Sequence, residues 1–385
     1  MTQKSFNTSK VLTLSIGHFF HDVYTSFLAP ILPMLIEKLG ISLSLVGLLD
    51  VVRKIPSLFN PLIGLMADRI CVKYLIILAP AISTISMSLM GLAPSYSILL
   101  VLLFVSGISS SLFHVPSPVA IKRFSGNQTG LGMSFYMVGG ELARSIGPLL
   151  ITAAIAYWGL QGSYRVMPLG ILASFILYIK LQNVKEIVNN KSKELANKTN
   201  SSIKHLIPIF VLVGAFVLSR AGIKSALTLY LPIYLTSNGE SLWLAGISLS
   251  VFQFAGAVGT FGAGYISDKI GKRNILLISA ILSPVIMWGF LHANRFFIFP
   301  LLIFEGLLLF AQGPVLLAFF QDTNTKRPAL VNSIYMTINF VINSLIVLLV
   351  GVLGDYIGLD LTFELATYFA LLAIPIIYFL PKDKY

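Results

Sequence analysis

Six ionisable side chains stand inside stretches that are otherwise apolar: His18, His21, Asp22, His114, Glu141 and Arg144. His18 and Asp22 are four residues apart and share one helix face, with His21 on its flank. Glu141 and Arg144 are three apart. An ionisable group in lipid costs at least about 2.5–3.5 kcal/mol, so those present usually face a cavity. Histidine titrates near neutral pH, and a nearby carboxylate tunes it. The chemistry this pattern suits is proton movement. Asp22 and Glu141 are the expected proton carriers, with His18 and His114 as relays. Arg144 either pairs with Glu141 or holds an anionic substrate. The competing reading is a permanent Glu141–Arg144 ion pair, with histidines bonded to backbone carbonyls. Two histidines and a carboxylate also suit a divalent metal. The His18-x-x-His21 spacing is loose for that, and neither metal nor cofactor is expected.

A second set lies further along. Arg220 and Lys224 are one helical turn apart, with no acid beside them on that stretch. Such a pair attracts a carboxylate, phosphate or phosphonate, and guanidinium suits bidentate contact with these groups. Gln253, Gln312, Asn339 and Asn343 complete a polar lining with Glu305, which could instead neutralise one of the two bases. The expected substrate-binding set is therefore Arg144, Arg220, Lys224, Gln253, Gln312, Asn339 and Asn343. Asp50 can pair with Arg53 or Lys54 and reads as structural.

These residues need long apolar elements to hold them. The chain has 385 residues, 56% hydrophobic and 11% charged, against about a quarter charged in soluble domains. A spanning helix needs roughly 20 mostly apolar residues. The apolar runs predict twelve helices, near 11–36, 44–67, 73–93, 97–121, 130–158, 163–182, 205–235, 242–266, 273–292, 296–320, 329–353 and 361–380. This divides the chain into an N-terminal bundle 1–182, a polar basic linker 183–204 and a C-terminal bundle 205–385. The first apolar run is too long for a signal-peptide core and reads as a spanning helix. The single cysteine, Cys71, excludes an intramolecular disulfide and a cysteine metal cluster.

The net charge of +12 does not point to nucleic acid, because the charges sit in short alternating loops. With the N-terminus inside, nineteen Lys and Arg fall in inner segments and three in outer ones. That asymmetry predicts a multi-pass protein of the plasma (cytoplasmic) membrane with both termini cytoplasmic.

The halves repeat with a period near 200. GLMADRICVK begins at Gly64 and GYISDKIGKR at Gly264, so Asp68 and Asp268 correspond. Gly47 matches Gly246, and Pro33 matches Pro232. Both decapeptides resemble the inner-loop signature of the major facilitator superfamily. The second is close to complete, with Gly264, Asp268, Lys269, Gly271, Lys272 and Arg273. The first carries Cys71 and Val72 where glycine and a basic residue are usual. GHFFHD at 17–22, SGISSSLFHVPSPVA at 106–120 and GGELARSIGP at 139–148 resemble the fosmidomycin-resistance branch, although Val115 separates His114 from Pro116. The resemblance implies an all-α integral membrane fold, twelve transmembrane helices in two six-helix pseudo-repeats. It also implies efflux of small, often anionic compounds in exchange for protons. Asp68, Arg69, Asp268, Lys269 and Arg273 become candidate latches that stabilise one access state. Gly139, Gly140 and Gly147 are expected to let helix 5 pack closely on a helix of the other half, with Pro148 bending it.

The function these readings imply is secondary active transport by alternating access, as a proton-coupled antiporter exporting a small anionic or amphiphilic compound. The alternatives are a proton-coupled organic-anion uptake symporter and a non-transporting membrane receptor. The partners are a small-molecule substrate, protons and the lipid bilayer, with no nucleic acid, and the chain acts as a monomer. The phosphate-binding G-x-x-x-x-G-K-[ST] pattern does not occur. Nor does a nucleophile–base constellation, so an enzyme is not expected.

Overall fold

A computed structural model describes residues 6–60, 63, 73–182, 206–321 and 328–380. Its described secondary structure is entirely helical. In hydrocarbon no water can satisfy the backbone, so each apolar run closes its own hydrogen bonds as a helix. We number twelve. The N-terminal ones are α1 (Thr8–Thr25, continuing as Leu28–Leu39), α2 (Leu43–Lys54), α3 (Lys73–Ser88), α4 (Tyr96–His114 and Ser117–Phe124), α5 (Thr129–Trp158) and α6 (Met167–Leu181). The rest are α7 (Ile207–Ser225 and Leu231–Ser237), α8 (Leu242–Ile270), α9 (Lys272–His292), α10 (Ile298–Gln321), α11 (Pro328–Ile357) and α12 (Leu359–Ala370 and Ala373–Phe379). Among the described residues, 11 stretches are long and apolar enough to cross a membrane. The twelfth is α2, whose expected end beyond Asn60 lies outside the described residues apart from Ile63.

Four helices are interrupted where proline withholds an N–H: α1, α4, α7 and α12, the last ahead of Pro375. Pro30 cannot bond the Ser26 carbonyl, and α1 breaks at Ser26 and Phe27. Pro116 and Pro118 end the first segment of α4 at His114. Pro232 follows a π-helical turn, Ala226–Tyr230, that begins two residues past Lys224. Such turns recur at functional sites. Pro148 lies inside α5, which continues through it.

The outward surface is apolar. Leu78, Val101, Phe175, Val211, Phe304 and Leu345 are all more than half exposed. In water this would be an aggregation liability; in lipid it is the solvated face.

The chain forms two compact units. The first is Met1–Ile41 with Leu49–Lys193 and Ser241–Ser250; the second is Ser42–Leu48 with Glu194–Glu240 and Val251–Tyr385. Each thus contains the first turns of a helix that continues in the other. In the second unit, the Asp355 carboxylate accepts the Leu43 and Ser44 N–H groups at 2.7 and 2.8 Å, capping α2. Tyr230 donates to the Val347 carbonyl at 2.8 Å, and Gly47 leaves room for its hydroxyl. In the first unit, Gly246 lies against Thr152, where a Cβ would come within 2.5 Å. The paired glycines of the sequence repeat thus sit at corresponding close approaches.

Within the first unit, α1 packs along α5, and α3 packs against α4 and α6. The glycines of α5 take a different partner from the one expected. They face α1 of the same unit, not a helix of the other half. A Cβ on Gly139 would stand 2.4 Å from the Ser15 carbonyl oxygen, one on Gly140 2.4 Å from His18 Cε1, and one on Gly147 1.8 Å from Ser26 Oγ. A small residue licenses close approach by any backbone, so the glycine stripe alone does not name the neighbour. In the second unit, α7 packs on α11 and α12, and α9 on α10 and α12.

Gly139→Val is expected to lower the melting temperature measurably in detergent, by about 1–3 kcal/mol of overpacking. Gly313→Ala is expected to leave it unchanged or slightly raised, because nothing lies within 4 Å of a Cβ there. Differential scanning fluorimetry with size-exclusion chromatography reads both.

Candidate functional site

The close approach of α5 to α1 sets the geometry of the charged cluster. Gly140 leaves the space that the His18 ring fills. That ring stacks on Tyr136 with centroids 4.0 Å apart. His18 Nδ1 donates to the Tyr136 carbonyl at 2.7 Å. A carbonyl only accepts, so Nδ1 carries a hydrogen, and a neutral His18 presents a lone pair at Nε2. His21 stacks flat on Phe113 of α4, at 4.7 Å and 8°.

Asp22 is the hub. Its Oδ1 lies 2.9 Å from His21 Nδ1 and 3.1 Å from His114 Nε2. Its Oδ2 lies 3.3 Å from His18 Nε2 and 3.6 Å from Arg144 Nη2. Arg144 donates from Nη1 to Glu141 Oε1 at 2.8 Å. One guanidinium therefore bridges two carboxylates. Asp22, His18, His21 and Glu141 are buried. His114 and Arg144 form the accessible rim, with side chains 35% and 38% exposed. The break at Pro116 leaves His114 as the last residue of the first α4 segment, turned to this rim.

All the residues singled out on α1, α4 and α5 meet. The competing reading is met in part: Glu141 and Arg144 do pair, and His18 does bond a carbonyl. His21 has a larger place than its flank position suggested. Ser83, Ser109 and Tyr136 were not singled out from sequence, because hydroxyls are scattered through the spans without a distinguishing spacing. Ligand atoms of His18, Asp22 and His114 lie within 4.8 Å of one another. A dication there would compete with the Arg144 guanidinium for Asp22, which favours protons over metal.

The second polar set gathers on α7, α10 and α11. Arg220 is buried, donates to the Leu309 carbonyl at 3.3 Å and lies 5.8 Å from the Phe216 ring centroid. Its Nε has no partner. Lys224 Nζ lies 6.0 Å from the Phe310 ring centroid. Gln312 is buried with Oε1 unpartnered. Asn339 and Asn343 donate to the carbonyls one turn back, at 3.2 and 2.7 Å. Gln253 is half-buried. Glu305 does not neutralise Arg220: it accepts from Ser283 at 2.5 Å and makes no ion pair among the described residues. Asp50 is buried and binds both Arg53, at 2.9 Å, and Lys54. Arg53 also donates to the Thr25 carbonyl at 2.7 Å, at the break in α1.

Of the expected latch residues, Asp68 and Arg69 lie outside the described residues, as does the Asp268 side chain. Lys269 Nζ stands 4.3 Å from the Tyr265 ring centroid. Arg273 donates to the Tyr378 carbonyl at 2.8 Å.

The Major Facilitator Superfamily model matches residues 14–346 and 250–385. The chain belongs to the major facilitator superfamily. As a member it is a multi-pass membrane transporter and not an enzyme. The fosmidomycin resistance protein of Escherichia coli (strain K12) is 24% identical over 381 residues, covering 97% of this chain and 92% of the relative. A homolog of the multi-drug resistance efflux pump PmrA from Lactococcus lactis subsp. lactis (strain IL1403) is 25% identical over 300 residues, covering 74% and 72%. Among solved structures, the inward-facing, unoccupied bacterial homolog of the human lysosomal transporter Spinster superposes with a TM-score of 0.81 at 15% identity, covering 97% of this chain and 96% of that one. A D-xylose-proton symporter gives 0.75 at 16%, covering 98% and 99%. At those identities the structures share the superfamily fold.

Removing the shared cation leaves two buried carboxylates unmatched. Arg144→Met alone is expected to cost about 3–5 kcal/mol. The triple variant Asp22→Asn, Glu141→Gln, Arg144→Met is expected to recover most of that loss. Thermal unfolding of the purified variants checks the pattern.

Proposed function

We propose that this chain is a proton-coupled antiporter that exports a small anionic or amphiphilic compound by alternating access, from the plasma membrane with both termini cytoplasmic. The carrying observation is the Asp22 hub: a buried carboxylate touched by three imidazoles and by a guanidinium shared with Glu141. Asp22 and Glu141 carry the proton, with His18 and His114 as relays. A group poised this way changes its charge balance with one proton. Arg220, with a free Nε, and Lys224, Gln253, Gln312, Asn339 and Asn343 supply the substrate lining. Guanidinium beside amide groups suits a planar or tetrahedral anion. The efflux named in the relatives supports export. The 1–182 and 205–385 bundles are the bodies that rock, with the inner-loop charges Asp68, Arg69, Asp268, Lys269 and Arg273 as latches.

A second reading, proton–anion symport, is favoured by the sharing of Arg144. Protonating the Asp22 cluster weakens its claim on that guanidinium, which becomes available to an anion. Proton and anion then bind together rather than in turn.

The test uses proteoliposomes with an imposed pH gradient and an internal pH dye, and a compound panel that includes fosmidomycin. Substrate-dependent proton flux is expected, and Glu141→Gln is expected to abolish it. Its sign separates antiport from symport. Flux that survives Glu141→Gln removes Glu141 from the mechanism. Absence of flux with every compound counts against proton coupling. Arg220→Gln is expected to weaken anionic substrates by about 10-fold or more and to spare neutral ones, since a charge-assisted hydrogen bond contributes about 1.5–3 kcal/mol. Competition binding reads this.

A further inference from the structure

We propose that His21 and Asp22 together hold one proton beyond neutral imidazole plus carboxylate, set in place by a one-way hydrogen-bond chain through Ser83 and Ser109 to the Ala79 carbonyl. The inference deepens the proton-coupling reading of the same cluster by assigning where the proton resides.

The direction of each bond in the chain follows from its end. The Ala79 carbonyl can only accept. Ser109 Oγ lies 2.6 Å from it and so commits its one hydrogen there. Ser83 Oγ lies 2.8 Å from Ser109 Oγ and donates to it, because the Ser109 hydrogen is already used. Ser83 then has no hydrogen left for His21, whose Nε2 stands 3.0 Å away. The hydrogen in that contact belongs to His21 Nε2.

With Nε2–H fixed, a neutral His21 would present a bare lone pair at Nδ1. That atom lies 2.9 Å from Asp22 Oδ1. Two acceptors without a hydrogen between them repel, and a separation of 2.9 Å leaves no room for a water between them. His21 is fully buried, Asp22 is 3% exposed, and Ser83 and Ser109 are fully buried. The contact is a hydrogen bond only if a proton lies within it. Either His21 is imidazolium donating to the carboxylate, or Asp22 is a carboxylic acid donating to Nδ1. Both descriptions count the same extra proton. Stacking on Phe113 holds the ring in this orientation.

The facing groups give this proton its consequence. From α1 there is His18, from α4 His114, and from α5 Tyr136, Glu141 and Arg144; α3 contributes only hydroxyls. Loaded, the His21–Asp22 pair is neutral as a unit, and Arg144 balances Glu141. Unloaded, Asp22 is a second buried anion, and Arg144 is its nearest cation at 3.6 Å. The proton therefore decides how one guanidinium divides between two carboxylates. When His18 is neutral, its Nε2, 3.3 Å from Oδ2, is the nearest acceptor on α1 for a proton leaving the pair. His114 is the exposed member through which the proton exchanges with solvent. His21 becomes a proton-storing residue, and Ser83 and Ser109 become positioning residues.

The test needs no transported compound. Protein labelled with 15N-histidine and 13C-aspartate is reconstituted at pH 7 and studied by nitrogen NMR and infrared difference spectroscopy. The expected result is one of two signatures. One is a doubly protonated imidazole that disappears in His21→Gln. The other is a neutral Nε2–H imidazole accompanied by a carboxylic C=O band that disappears in Asp22→Asn. A neutral His21 beside an ionised Asp22 overturns the inference. Should His21→Gln fail to fold, Ser83→Ala identifies the same resonance by removing only a hydroxyl. Ser83→Ala is expected to weaken proton binding by the pair about tenfold, one unit on its titration, and Ser83→Thr to restore it. An unchanged titration in Ser83→Ala overturns the chain. A protonated pair in protein without proton flux keeps this inference and fails the coupling reading. Flux from protein with an unprotonated pair does the reverse.

Discussion

The Asp22 carboxylate is the constraint around which the first unit is organised. A buried anion is tolerated only when its oxygens are met by donors or cations. Here the donors come from three separate helices. His21 comes from its own helix, His114 from α4 and Arg144 from α5. None of these alone would compensate the charge. Their joint presence ties the position of α4 and α5 to the ionisation of one side chain on α1.

That arrangement depends on how closely the backbones approach. Gly139, Gly140 and Gly147 bring α5 against α1 until their neighbours are a carbonyl, an imidazole and a hydroxyl. The stacking of His18 on Tyr136 and its bond to the Tyr136 carbonyl follow from this proximity. Breaks at Ser26–Phe27 and Val115–Pro116 then divide α1 and α4 into two segments each. Proline supplies the breaks because it withdraws a backbone donor at a chosen turn. Packing and polar chemistry thus share one origin in small residues and prolines at set positions.

The second unit is built from the same repeat but spends its polar groups differently. Its buried base, Arg220, has no carboxylate beside it among the described residues, and its buried acid, Glu305, has only a hydroxyl. Ser83 and Ser283, 200 positions apart, occupy matching places on α3 and α9. One meets an imidazole and the other a carboxyl. The first unit gathers opposite charges into a balanced cluster, while the second leaves a cation with donor capacity to spare. In the function proposed above, the first unit would handle protons and the second an anion.

Much of this was legible in the chain itself. Twelve apolar runs and the scarcity of charge follow from solvation, since a chain in lipid must be apolar along lengths of membrane thickness, and the 200-residue repeat was read from the paired decapeptides. The ionisable residues stood out for the same reason, since each must justify its cost. His18 and Asp22 were paired by helical periodicity, and Glu141 and Arg144 likewise. Periodicity relates residues on one helix but is silent between helices. Only the tertiary structure decided that α5 lies on α1 of its own unit, that Arg144 reaches Asp22 as well as Glu141, and that His21 joins a serine chain on α3 and α4. Those choices rest on helix rotation and close approach, which are set by packing across the whole unit rather than by any local stretch.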